Sequence, residues 1–311
     1  MSLHRLSSVT MGVPDTAATR AYYAEFGLTP DGDEGWFTTR DGGRQLRVVE
    51  APTRRLVEIV VGVDDADDIA AAGSRLAALG IAAKLRGEAK RELVAFDPVV
   101  GVRAVLRVEK RVEQPRVEPT PYNGPGRVDR ANHRAPGVER SAPVKPRKLG
   151  HAVVGTTDFE ATTAFFRDGL GFKTSDLMGD VGAFLRCSTD HHNVLVLRAP
   201  VAFLHHTSWQ VDDIDEIGRG AAAMLENHPE RHVWGLGRHH AGSNFFWYLK
   251  DPAGNFSEYY SDLDCVLDDA VWKPEVFEGA KGLFNWGPPP PPSFIAPDDL
   301  AALMTGAHAG V

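Results

Sequence analysis

The sequence predicts an α+β protein of two similar halves, each holding two copies of a strand–helix–strands unit. Three internal matches carry this reading. "VEIVVGVDDADDIAAAGSRLAALG" (57–80) and "HHTSWQVDDIDEIGRGAAAMLENH" (205–228) share a plan of strand, Asp-rich turn and helix. "LSSVTMGVPDTAATRAYYAEFGLTPD" (6–31) parallels "LGHAVVGTTDFEATTAFFRDGLGFKTSD" (149–176). "AFDPVVGVRAVLRVE" (95–109) and "YLKDPAGNFSEYYSD" (248–262) each give a strand, an Asp-Pro turn with a glycine, and a return strand. The unit is about 50 residues long, and helices separated by several short strands indicate an α+β sheet architecture.

Each element has a local reason. In the first unit a helix carrying Tyr22 and Tyr23 is expected to stop at Gly27; its counterpart, carrying Phe165 and Phe166, is expected to stop at Gly169. The aspartates after the strands at 57–63 and 205–211 can cap the following helices through their side-chain oxygens. Residues 111–148 hold seven prolines without periodicity, and 107–148 holds eleven Lys/Arg against five Asp/Glu. This stretch reads as a solvated, basic connector rather than an anion site. The tail "NWGPPPPPSFIAPDDLAALM" has a five-proline run, read as a polyproline II spacer leading to a short helix; an SH3-like partner is the less expected use. The expected organisation is 1–110, a metal-free half; 111–148, the connector; 149–262, a metal-binding half; and 263–311, the tail.

With 311 residues the chain is long enough for two domains, each with its own core. A formal charge of −8 argues against a general nucleic-acid binder. Two distant cysteines, Cys187 and Cys265, make neither a disulfide scaffold nor a zinc knuckle and suit a cytoplasmic protein. The start lacks the apolar stretch of a secretion signal, and no apolar run approaches the roughly 20 residues that span a bilayer.

Half of the twelve histidines stand in doublets: His191–His192, His205–His206 and His239–His240. Alternation along "FLHHTSWQV" sets Phe203, His205, Thr207, Trp209 and Val211 on one face, and Leu204, His206, Ser208 and Gln210 on the other. The first face is bulkier and more apolar, so His205 is expected to pack against helices and His206 to face a wet cavity. On this reading His205→Ala spares metal binding. The repeat aligns His206 with Glu58 and His151 with Ser8, and Val105 is the best match for Glu258 in the last strand. Two histidines and a carboxylate suit a divalent metal with open positions, iron(II) first, with manganese(II) or zinc(II) possible. Ser8, Glu58 and Val105 cannot bind it well, so one half is a metal domain and the other a structural copy.

At these residues the chain resembles the vicinal oxygen chelate superfamily and, within it, the type I extradiol ring-cleaving dioxygenases. The motifs are "LGHAVVGTTD", "CSTDHHNVLVL", "LHHTSWQVDD" and "GRHHAGSNFFWYLKDPAGNFSEYYSD". The resemblance implies two domains of paired βαβββ modules forming curved, barrel-like sheets. It implies that His151, His206 and Glu258 ligate Fe(II), with Mn(II) possible. His192 would be the acid–base group, and His239 and Tyr248 would hold the substrate oxygens. It further implies a catechol-type substrate, O2 as co-substrate, ring opening beside the diol, and a homo-oligomer. His191, His240, Arg238, Phe245, Trp247 and Asp251 are read as structural. Rival readings are a 4-hydroxyphenylpyruvate-type dioxygenase, a glyoxalase-type isomerase, or a non-catalytic drug-sequestering protein of the same fold.

Overall fold

The computed structural model describes residues 3–87 and 91–306; the ends of the first half's numbering and of the tail, 1–2 and 307–311, lie outside them. The first half forms strands β1 (Leu3–Val13), β2 (Thr29–Asp31), β3 (Trp36–Thr39), β4 (Gly43–Glu50), β5 (Arg55–Val63), β6 (Ala83–Arg86), β7 (Glu92–Phe96) and β8 (Arg103–Val108). The second forms β9 (Lys148–Thr156), β10 (Lys173–Met178), β11 (Gly182–Arg186), β12 (Val194–Arg198), β13 (Phe203–Gln210), β14 (His232–Arg238), β15 (Phe245–Lys250) and β16 (Phe256–Ser261). A short strand of the tail, β17 (Val276–Phe277), adds to its edge.

Both sheets have one topology. The first runs β2-β3-β4-β1-β5-β8-β7-β6, and the second, read from its tail-bearing edge, runs β17-β10-β11-β12-β9-β13-β16-β15-β14. In each half the first strand of one unit pairs antiparallel with the first strand of the next, and each unit closes with a parallel pair. The sheets are curved and neither closes into a barrel.

Local sequence sets the helices. Asp65 accepts from the backbone N–H groups of Asp67 and Asp68 and completes a capping box, while Asp213 caps through Glu216 N–H. Gly27 ends the first helix with φ 104°. The counterpart helix does not stop at Gly169. It continues as a π-helical turn over Phe165–Leu170 and ends at Gly171, φ 95°. Gly169 serves close packing instead: a Cβ there would meet Leu76 Cδ2 at 2.7 Å.

The halves share one continuous core rather than holding one each. The helix Thr16–Glu25 lays its aromatic pair on the second sheet. Tyr22 Oη lies 2.6 Å from Ser257 Oγ, and Tyr23 meets Trp209 edge-on. Phe26 stacks on Tyr259 at 3.9 Å, and Tyr259 donates to the Phe26 carbonyl. Such a stack contributes about 0.5–1.5 kcal/mol beyond area burial. Part of the connector's charge is met inside the chain: Arg140 pairs with Asp213 and Glu216, and Arg147 with Asp212 and Asp41.

Candidate metal centre and its cavity

Strand register decides what meets in the second sheet. Ser208 of β13 stands between His151 of β9 and Glu258 of β16, while His206 pairs with Val153 and Phe256. The register sets all four positions on one face of the sheet. Donor atoms of His151, His206 and Glu258 lie within 4.8 Å of one another. His206 Nε2 is 3.3 Å from His151 Nε2, and Glu258 Oε2 is 3.2 Å from His151 Nε2 and 3.8 Å from His206 Nε2. All three residues are buried, and Glu258 Oε2 accepts no hydrogen bond. A buried carboxylate oxygen without a partner, aimed between two imidazole nitrogens, fits a divalent cation.

The same register in the first half accounts for its barrenness. Val60 stands between Ser8 and Val105, and Glu58 pairs with Arg103. Ser8, Glu58 and Val105 thus occupy the positions of His151, His206 and Glu258. Glu58 is held in an ion pair by Arg103. Val94, opposite Val105 as Tyr248 is opposite Glu258, joins Val60 and Val105 in a dry cluster.

The histidine doublets depart from strict alternation. His205 has no partner on β9: Leu204 pairs with Val154 and His206 with Val153, so His205 is the extra residue of a β-bulge. The bulge turns Leu204 into the helix-side core and brings His205 to the side of His206. His205 therefore lines the cavity beside His206 and packs on the short tail helix Pro292–Ile295, not on the far side of the strand as the alternation argument expects. Its Nδ1 lies 2.7 Å from His206 Nδ1, its Nε2 lies 2.7 Å from the Phe294 carbonyl oxygen, and its ring meets Phe294 at 4.8 Å.

The cavity above the triad measures about 310 Å³. His192, His205, His239 and Tyr248 line it with Met178, Val181, Phe184, Leu195, Leu197, Ala241, Leu283, Phe294 and Ile295. The His192 ring lies 4.1 Å from that of His151. Tyr248 Oη is 2.9 Å from His239 Nε2, and the Leu283 carbonyl accepts from His239 Nδ1–H. Phe246 stacks under His239 at 4.0 Å. Leu283, Phe294 and Ile295 come from the tail, which thus roofs the cavity instead of acting as a spacer; the prolines before it anchor through Pro288 O, which accepts from Trp234 Nε1–H.

Sequence reasoning missed three participants. Asn244, fully buried, donates to Glu258 Oε1 at 3.1 Å; it stands inside the "GRHHAGSNFFWY" motif, which could have flagged it. Arg198 reaches the cavity, with its guanidinium on Glu160 and the Asp180 carbonyl. Phe294 carried no sequence signal. Arg238, Phe245 and Trp247 lie off the cavity, and Asp251 accepts from the N–H groups of Ala253 and Asn255 in its turn.

Burial governs protonation here. It holds His192 well below the usual imidazole range, with His151 and His191 adding to the effect. It does the same to His206, next to His205, despite the opposing charge of Glu258. Burial opposes ionisation of Glu258, but His151 and His239 outweigh it and hold the carboxyl well below its ordinary value. Tyr248 is pushed well up by burial and by the Glu258 charge. His206 thus tends to the neutral form beside an ionised Glu258, the protonation states in which both can ligate a metal.

Comparison with known proteins agrees with this geometry. The sequence model of the Glyoxalase/Bleomycin resistance protein/Dioxygenase superfamily matches residues 148–259. An iron-dependent extradiol dioxygenase of Rhodococcus jostii is 30% identical over 137 residues, covering 39% of this chain and 45% of its own. Metapyrocatechase 2 of Cupriavidus necator is 30% identical over 306 residues, 94% of this chain and 92% of its own. The chain belongs to the extradiol dioxygenases of this superfamily. Among solved structures, a Mn(II)-bound glyoxalase from Novosphingobium aromaticivorans superposes with a TM-score of 0.73 at 27% identity, covering 93% of each chain. An extradiol dioxygenase is an enzyme, so a purely sequestering role is set aside.

Proposed function

We propose that this extradiol dioxygenase uses Fe(II) to insert O2 beside the vicinal hydroxyls of a catechol bearing an apolar substituent, opening the ring. One observation carries the reading: two histidines and a glutamate converge at the floor of a cavity of about 310 Å³ whose wall combines His192, His239 and Tyr248 with apolar side chains. His151, His206 and Glu258 would hold the metal; the donor set accepts Fe(II) or Mn(II). When bound, the metal serves as template and electron path between an electron-rich diol and O2.

The other residues prepare the substrate. His192 takes the proton of a catechol hydroxyl at Nε2 and returns it as the ring opens. Tyr248 and His239, already bonded to each other, orient the diol oxygens. Met178, Phe184, Leu195 and Phe294 exclude water and accommodate the ring's substituent. Arg198, the cation among the described lining residues, is engaged by Glu160, which weighs against an acidic substrate. The first 110 residues serve as scaffold, and the chain works as a homo-oligomer.

The test is anaerobic purification, Fe(II) loading and exposure to a panel of plain, aryl-substituted and carboxylated catechols. Oxygen uptake with a yellow ring-fission product, fastest on the apolar members, is expected; no uptake on any member refutes the proposal. A glyoxalase-type isomerase would need a further ligand, and among the described residues the cluster holds three.

A further inference from the structure

The doublet His191–His192 sits against an acid that the chemistry above does not use. Asp176, on β10, is buried; its Oδ2 lies 2.8 Å from His191 Nε2. The Glu275 backbone N–H donates to its other oxygen at 2.7 Å. The two doublet rings meet Nδ1 to Nδ1 at 3.0 Å. Trp272 stands edge-on to the fully buried His191 at 5.4 Å and donates its indole N–H to the Ser175 carbonyl.

Proton positions follow by elimination. A carboxylate only accepts, so His191 carries its proton on Nε2. A neutral imidazole with Nε2–H has a bare Nδ1, which must accept from its neighbour. His192 then carries its proton on Nδ1, and its Nε2, turned away from His191 toward the cavity, is bare. We propose that Asp176 and His191 are positioning residues that fix His192 in the tautomer presenting an unprotonated Nε2 to the substrate. The inference rests on the assignment of His192 as the group that receives the catechol proton.

The second doublet is wired alike. The Phe294 carbonyl only accepts, so His205 donates from Nε2, receives from His206 Nδ1–H, and leaves His206 Nε2 bare toward Glu258 and His151. His239 follows the same rule without a doublet, its Nδ1–H given to the Leu283 carbonyl. In each case an acceptor held in or by the tail fixes which nitrogen faces the centre.

Asp176→Asn should invert the relay rather than merely weaken it. The Glu275 N–H requires an acceptor, so the amide oxygen takes that side and the amide NH2 faces His191 Nε2. His191 then donates from Nδ1, and His192 presents Nε2–H. His191→Gln is the complementary variant: its amide can donate to Asp176 and accept from His192, keeping the tautomer. His191→Phe removes both contacts.

The experiment reads tautomers by nitrogen NMR of the full chain, histidine-labelled with 15N and loaded with diamagnetic zinc(II), alongside kcat and KM of the iron-loaded chains. Wild-type His192 is expected with Nδ1 protonated and Nε2 bare. Asp176→Asn is expected to reverse this, with kcat lowered about 100-fold, KM nearly unchanged and metal content intact. His191→Gln should keep the wild-type pattern and most of the rate, and His191→Phe should not. Wild-type His192 protonated on Nε2 overturns the proposal, as does a folded Asp176→Asn chain with unchanged tautomer, or a His191→Gln chain as impaired as His191→Phe. Absence of ring cleavage by the wild type sinks the dioxygenase reading instead, while the spectrum still decides the tautomer.

Discussion

At the scale of single residues, the doublets separate what sequence can and cannot convey. The repeat set His151, His206 and Glu258 at matched positions because strand register copies across the units. Alternation failed at His205, because a bulge inserts one residue without any compositional mark. The correction changes a prediction. His206→Ala should abolish metal retention, and His205→Ala should lower metal affinity about 10–100-fold rather than spare it, since it holds His206 through Nδ1. Equilibrium dialysis separates the two, and a His205→Ala chain with unchanged affinity would restore the alternation argument. Tyr248→Phe should keep the metal and lose about 10²-fold in kcat, because only the hydroxyl facing His239 is removed.

At the scale of elements, the units were legible because each strand and helix carries its own periodicity, cap or turn. The tail was not. Its prolines and glycines give no period, and its contribution lies in backbone carbonyls, which every residue type supplies, and in isolated side chains such as Phe294 and Asp299 that form no pattern. It is pinned by Arg54, whose fully buried side chain pairs with Asp299 at 2.6 and 2.7 Å and donates to the Leu204 carbonyl. Removing one partner of such a pair leaves a buried charge. Asp299→Ala should therefore cost about 3–5 kcal/mol of stability in urea unfolding. It should also speed metal loss to a chelator, because Leu283 and Phe294 belong to the loosened segment. Stability loss with an unaltered chelation rate would separate the tail from the centre.

At the scale of the molecule, the shared core makes the halves one unfolding unit, so calorimetric and van't Hoff enthalpies should agree. Length alone suggested separable cores; the aromatic cluster of Tyr22, Tyr23, Phe26 and Tyr259 could not be foreseen as a seam. Acid should weaken the whole. His205 is pushed down to about 4 by burial, and His192 and His206 also lie below their ordinary value. An unfolded imidazole titrates near about 6.5, so between these values the unfolded chain binds more protons. The stability from these neutral imidazoles is present above about pH 6.5 and is lost as pH falls toward about 4. Asp251, raised to about 6 by burial, works the other way in part of that window, one carboxyl against three rings. The urea midpoint of the metal-free chain should drop from neutral to mildly acidic pH; a rise would mean that Asp251 outweighs them.

The dry Val60–Val94–Val105 cluster has a consequence for any preparation of the enzyme. Where a second ion could have sat there is hydrocarbon, so among the described residues each chain offers one seat. A chain is then either armed or inert, with no half-filled state between. Specific activity should rise in a straight line through the origin with bound metal and level off at one ion per chain, making turnover a direct census of loaded molecules.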